Sequence, residues 1–224
     1  MLTRLLQGVT QRLKEMTAEE LNESLIEDAH VDHKDEERAI EQNIKQKNGT
    51  ASASVSSCAC PEPKPVEQTW WLNNLCLDRS RLTIIGFSKG CVVLNQLLYE
   101  FHYTKTLTPE DKEALRFMGN IDSMYWLDGG HAGSKNTWLT SRSLLETLAR
   151  LDINVFVHVS PYQVLDDRRP WIGREERSFV TLLTKLGAKV KRYMHVPLDS
   201  GSSSLPTHFS VLTNFKSIQE DHGD

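Results

Sequence analysis

The sequence predicts an α/β fold with a mostly parallel sheet and flanking helices. Short apolar runs at 82–86, 123–128, 153–160 and 190–196 alternate with helical stretches at 89–103, 109–118, 139–151 and 172–187. Gly, Pro, Asp or Asn bracket the runs, as where Met124-Tyr125-Trp126-Leu127 meets Asp128. The first run, from Leu82 to Ile85, passes directly through Gly86-Phe87-Ser88-Lys89-Gly90 into an apolar helix. Strand–helix alternation at this spacing builds βαβ units and a parallel sheet. In such sheets the chemistry gathers beyond the C-terminal ends of the strands.

The N-terminal residues Met1 to Lys14 carry Arg4, Arg12 and Lys14, with no acid before Glu15, and an apolar stripe of Leu2, Leu5, Leu6, Val9 and Leu13. An Arg-bearing amphipathic stretch fits a mitochondrial presequence or a first helix docked by its stripe. The pattern runs on into Thr17-Ala18-Glu19-Glu20-Leu21, which reads as a capping box, so residues 1–26 are expected to be a helix of the domain. Residues 27–68 change character: charged and amide side chains, then Gly/Ser/Ala/Thr, then Pro61-Glu62-Pro63-Lys64-Pro65. Such a segment cannot bury enough surface to order itself and is expected to be a disordered insertion. His30-Val31-Asp32-His33 and Asn48-Gly49-Thr50 lie within it and read as solvated polar sequence, not as a metal site or a glycosylation acceptor. Residues 69–219 carry the main α/β domain and 220–224 a short tail.

Bulk properties exclude several classes. A chain of 224 residues suits one domain. Net charge is −4, from 26 basic and 30 acidic residues, which argues against a nucleic-acid partner. No run approaches the roughly 18 apolar residues of a membrane span. Cys58, Cys60, Cys76 and Cys91 are too few and too scattered for a disulfide framework or a zinc site, so a reducing compartment is expected, with no metal and no cofactor.

Strand, G-x-S-x-G and helix together form the pattern of a nucleophile elbow. The tight turn pushes the Ser88 hydroxyl out above the sheet, and the flanking glycines let strand and helix approach. The helix N-terminus points backbone N–H groups, that of Lys89 first, at an oxyanion. Such a serine needs an acid and then a histidine, in chain order Ser…Asp…His. The acid candidates are Asp166, Asp167 and Asp128. Asp166 is favoured, because it follows the 153–160 strand by a loop, where this layout usually places its acid; Asp128 ends the preceding strand in Asp128-Gly129-Gly130-His131. The histidine candidate is His208, in a loop before a short final helix. His195 reads as part of a strand; His131 and His158 fit the order less well, though His131 is placed to line the same pocket.

Gly86-Phe87-Ser88-Lys89-Gly90-Cys91-Val92-Val93-Leu94-Asn95-Gln96-Leu97-Leu98, Tyr125-Trp126-Leu127-Asp128-Gly129-Gly130-His131, His158-Val159-Ser160-Pro161-Tyr162-Gln163-Val164 and Trp171-Ile172-Gly173 carry a more specific signal. Over roughly residues 80–210 the chain resembles an animal mitochondrial protein family named after an open reading frame on human chromosome 2. Its members are similar to α/β-hydrolases. The resemblance implies an α/β-hydrolase-like fold, a mitochondrial location, a role in energy metabolism, and a site of Ser88, Asp166 and His208; from their own positions in the sequence, Lys89, Asp128 and His131 are expected to line that site. Members also carry a long N-terminal part with the first strands and the loop that supplies a second oxyanion donor. Here the chain starts at the helix before the insertion, so the N-terminal part of the fold is expected to be missing and the chain to be a fragment, short isoform or incomplete gene product. Losing one oxyanion donor costs about 10²–10³ in rate.

Two functions follow. The first is a serine hydrolase acting on an ester, thioester or amide, with a small acyl or peptide substrate. The alternative is a catalytically weak or inactive protein of the same fold that binds a protein partner, a reading kept open by Lys89 beside the serine. A dinucleotide site is not expected, because G-x-G-x-x-G is lacking.

Overall fold

The computed structural model describes residues 2–16, 20, 74–130, 135–196 and 204–220. The chain divides into two units, Met1–Asp78 and Arg79–Asp224. In the first, helix α1 spans Leu2–Glu15. Its Thr10 hydroxyl donates to the Leu6 carbonyl at 2.7 Å and accepts from the Leu77 N–H at 3.1 Å. The continuation of this helix expected through residues 17–19 and 21–26, and the insertion expected over 27–68, lie outside the described residues.

The second unit is an α/β fold: β1 (Leu82–Phe87), α2 (Cys91–Leu107), α3 (Lys112–Gly119), β2 (Ile121–Leu127), α4 (Arg142–Arg150), β3 (Asn154–Val159), α5 (Pro161–Val164), α6 (Pro170–Lys185), β4 (Val190–Met194) and α7 (Leu205–Glu220). The four strands form one parallel sheet in the order β1-β2-β3-β4. All four expected strands and the helices between them form, because each apolar run is too short for a helix and is stopped by a turn residue. Two elements differ from expectation. The segment after β3 was expected to be a loop but makes the single-turn helix α5, since Pro161 supplies a preset φ at the first helical position. The final helix is 16 residues long, and His208 sits in its first turn instead of in a preceding loop.

The two inner strands carry the core. Met124, Trp126 and Leu127 on β2 and Val155, Val157 and Val159 on β3 are fully buried, as expected for parallel strands covered on both faces. Trp126 also needs a partner for its indole N–H. It donates to Asn95 Oδ1 of α2 at 3.1 Å, and the Asn95 amide donates in turn to the Thr137 carbonyl at 2.9 Å. The Phe179 ring of α6 packs between Trp126 and Trp138, with centroids 5.4 and 5.5 Å away. Glu176 of α6 is buried and takes two hydrogen bonds from Arg192 of β4, at 2.7 and 3.2 Å. No helix among the described residues is long and apolar enough to cross a membrane.

Candidate active site

The site is assembled at the C-terminal ends of three adjacent strands. β1 ends in a single 3-10 turn, Ser88–Gly90, that leads into α2. Ser88 has φ 56°, a left-handed conformation without the glycine that normally takes it. Such a residue costs about 1–3 kcal/mol and persists only where its surroundings hold it. Gly86 is required by close approach: a Cβ there would lie 2.8 Å from Leu94 Cδ1 and 2.9 Å from the Gly90 carbonyl oxygen. Gly90 differs from expectation. A Cβ on it would meet nothing within 4 Å and its φ is an ordinary −60°, so it is the approach of Gly86 to the Gly90 backbone that demands a glycine, at position 86.

The turn delivers Ser88 Oγ to 2.8 Å from His208 Nε2. His208 is buried, and its Nδ1 lies 2.8 Å from Oδ2 of Asp128. Nδ1–H donates to the carboxylate, which leaves Nε2 to accept the serine proton. His208 is set by the first turn of α7, where its backbone N–H donates to the Ser204 carbonyl at 3.3 Å. Its ring stacks on Phe87 with centroids 4.6 Å apart, and the Tyr162 and Phe209 rings each lie 5.4 Å away.

Asp128 is fully buried and has φ 49°. Its backbone N–H donates to the His158 carbonyl at 2.7 Å. The Ser160 N–H donates to Oδ1 at 2.7 Å and the Ser160 hydroxyl to Oδ2 at 2.6 Å. Asp166, the acid favoured by the sequence, is placed elsewhere. Arg169 Nε donates to its Oδ2 at 2.8 Å and the Arg168 N–H to its Oδ1 at 2.9 Å. The hydrogen bond from Arg169 holds the Asp166 carboxyl below the usual range. Arg169 also donates to the Gly130 carbonyl at 3.0 Å, so Asp166 braces the turn that follows Asp128. Physically, α5 and the residues after it carry Asp166 toward the arginines, while Asp128 faces His208 from the next strand. Asp167 is exposed. The position of His131 lies outside the described residues. Lys89 follows Ser88 in the turn with an exposed side chain.

Other groups near the site are kept quiet by burial. Cys91 points its thiol at the Gly86 and Leu127 carbonyls, and burial pushes its pKa up to about 12. His158 is fully buried with its ring 4.7 Å from that of Tyr193, and its Nδ1 is 2.9 Å from His195 Nε2. Burial, then the neighbouring His195, pushes the His158 pKa down to about 3. His195 lies one residue past β4, not on it; burial lowers its pKa too, against the opposing charge of Asp128. Among the described residues no group of three or more His, Cys, Asp or Glu side chains is placed to hold a metal ion. A separate surface cleft of about 330 Å³, lined by His102, Lys105, Thr147 and Arg150 among others, contains none of these residues.

Sequence reasoning passed over Ser160, Phe87 and Tyr162 as site residues. The signal available for Ser160 was its place directly after a buried strand in a parallel sheet, where polar side chains meet the site.

The fold and site together define an α/β protein with a Ser–His–Asp hydrogen-bonded chain at the C-terminal edge of a parallel sheet. The chain belongs to the C2orf69 family, whose family model matches residues 1–189. It is 46% identical over 164 residues to the human mitochondrial protein C2orf69, covering 73% of this chain and 40% of that protein. The mouse homologue of that protein is 47% identical over 137 residues, covering 61% of this chain and 36% of the relative. The zebrafish (Danio rerio) homologue is 43% identical over 134 residues, covering 60% and 38% respectively. The chain thus spans about two fifths or less of the length of these relatives. Their names place them in mitochondria and support the mitochondrial localisation implied by the family resemblance. No solved structure matches the chain.

Proposed function

We propose that this protein is a serine hydrolase of the α/β-hydrolase type, acting on an ester, thioester or amide in mitochondria. Ser88 is the nucleophile, His208 the general base and then general acid, and Asp128 the group that orients the imidazole and stabilises its charged form. In acylation, Ser88 Oγ bonds to the substrate carbonyl carbon while its proton passes to His208 Nε2. The tetrahedral oxyanion turns toward the backbone N–H of Lys89, in the 3-10 turn that leads into α2. Collapse expels the alcohol, thiol or amine, which takes the proton from His208. Water, deprotonated by the same histidine, then releases the acid and regenerates Ser88.

The observation that carries this reading is the paired 2.8 Å separation, Ser88 Oγ to His208 Nε2 and His208 Nδ1 to Asp128 Oδ2. The left-handed backbone at Ser88 adds to it, because strain without a packing purpose is characteristic of functional turns. The test is exposure of the full-length protein to a fluorophosphonate probe, followed by peptide mapping. A phosphonyl adduct on Ser88 that is lost in Ser88→Ala is expected. An unmodified wild type, or equal modification of Ser88→Ala, refutes it.

A further inference from the structure

We propose that Ser160 is the positioning residue of this site, gripping both oxygens of Asp128 and aiming the carboxylate at His208. The catalytic part of the inference rests on the serine-hydrolase reading. A carboxylate torsion is broad and two-fold, so a buried aspartate followed by two glycines needs an outside brace to fix its plane. Ser160 supplies it at two points, N–H to Oδ1 at 2.7 Å and hydroxyl to Oδ2 at 2.6 Å. It is the oxygen taking the Ser160 hydroxyl proton, Oδ2, that also meets His208 Nδ1.

Two features single Ser160 out from an ordinary structural serine. It is fully buried. It is also the N-cap of α5, yet its side chain makes no capping bond. A serine there normally spends its oxygen on the N–H groups of the helix's first turn. This one accepts no such bond, and its single O–H is donated to Asp128. The strand register explains the reach. β2 and β3 pair in parallel through Leu127 and His158, and the Asp128 N–H donates to the His158 carbonyl, so Ser160 leaves β3 one residue beyond the position opposite Asp128, where its N–H and hydroxyl meet the carboxylate.

The test measures two quantities in the full-length protein: the rate of Ser88 modification by the fluorophosphonate probe, and the downfield proton resonance of His208 Nδ1–H, assigned by its loss in His208→Gln. Ser160→Ala is expected to slow modification by about 10- to 100-fold, the range for a lost hydrogen bond to a charged group. It should also shift or broaden the Nδ1–H resonance, and Ser160→Thr, which keeps the hydroxyl, should restore both. Ser160→Cys, similar in volume but a weak donor, carries the same expectation as Ser160→Ala should the alanine variant not fold. Wild-type rate and an unmoved resonance in Ser160→Ala and Ser160→Cys overturn the inference. A wild type that is never modified overturns the hydrolase reading instead, while the resonance still decides whether Ser160 holds Asp128.

Discussion

Asp128 and Asp166 lie at the ends of neighbouring connections, one after β2 and one after α5, yet they have opposite surroundings. Asp128 is fully buried and meets His208, with Ser160 supplying two further donors. Asp166 is partly buried and tied to Arg168 and Arg169. The lesson is that a carboxylate's role is decided by which donors its backbone lets it reach. An arginine beside an aspartate satisfies it and makes it a strut. An imidazole donor beside neutral Ser160 donors leaves Asp128 without a fixed cation, so the Asp128–His208 pair is free to share a changing charge.

The largest effect that tests this contrast is removal of His208. His208→Ala should lower Ser88-dependent turnover by about 10⁶-fold, the scale seen when a base is removed from such a unit. Adding Asp128→Asn to that variant should then cost little more, because the aspartate acts only through the histidine. Kinetics of the single and double variants check it; additive losses would break the contrast.

The next effect concerns the turn between the two regions. A Cβ on Gly130 would land within the buried Gln163 carboxamide of α5. Gly130→Ala should therefore destabilise the fold by about 1–3 kcal/mol, the usual range for overpacking, as read by denaturant titration.

A smaller effect comes from the histidine pair beneath Asp128. The His158 pKa is about 3 in the folded protein against 6.5 as the ordinary value. The folded pKa is depressed, so the unfolded chain binds the extra proton. Stability is therefore unaffected above about pH 6.5 and falls progressively as pH drops from there toward about 3. His158→Phe should lose less melting temperature than wild type between neutral and mildly acid pH, with a residual slope from His195, whose pKa is lowered as well. Equal slopes would show that His158 is not held neutral.

The smallest effect belongs to Asp166. Asp166→Asn should change turnover by at most about fivefold, because its carboxylate bonds to Arg168 and Arg169 and makes no bond to His208; the rate of Ser88 modification checks it.

The fold was legible because its signals are local. Four apolar runs and their turn residues set the strands, and Gly86 before Ser88 marked the strand-to-helix turn. The Ser88–His208 pairing was legible as well, one residue from its motif and the other from chain order. That Asp128 and not Asp166 faces His208 was not, because it depends on long-range placement. Arg168 and Arg169 stand close to Asp166 in sequence, but nothing local says that Arg169 will also reach the Gly130 carbonyl or that Asp128 will be the carboxylate left facing His208. Ser160 was hidden for a similar reason. Its hydroxyl looks like a helix cap in sequence, and only the parallel pairing of β2 and β3 brings Asp128 beside it.

The most direct test of the Ser88–His208–Asp128 unit is the rate of fluorophosphonate modification at Ser88 in Asp128→Asn set against Asp166→Asn. The amide at 128 should leave His208 in the wrong tautomer and slow modification by about 10⁴-fold, while Asp166→Asn stays close to wild type. Loss with Asp166→Asn and retention with Asp128→Asn would contradict the assignment.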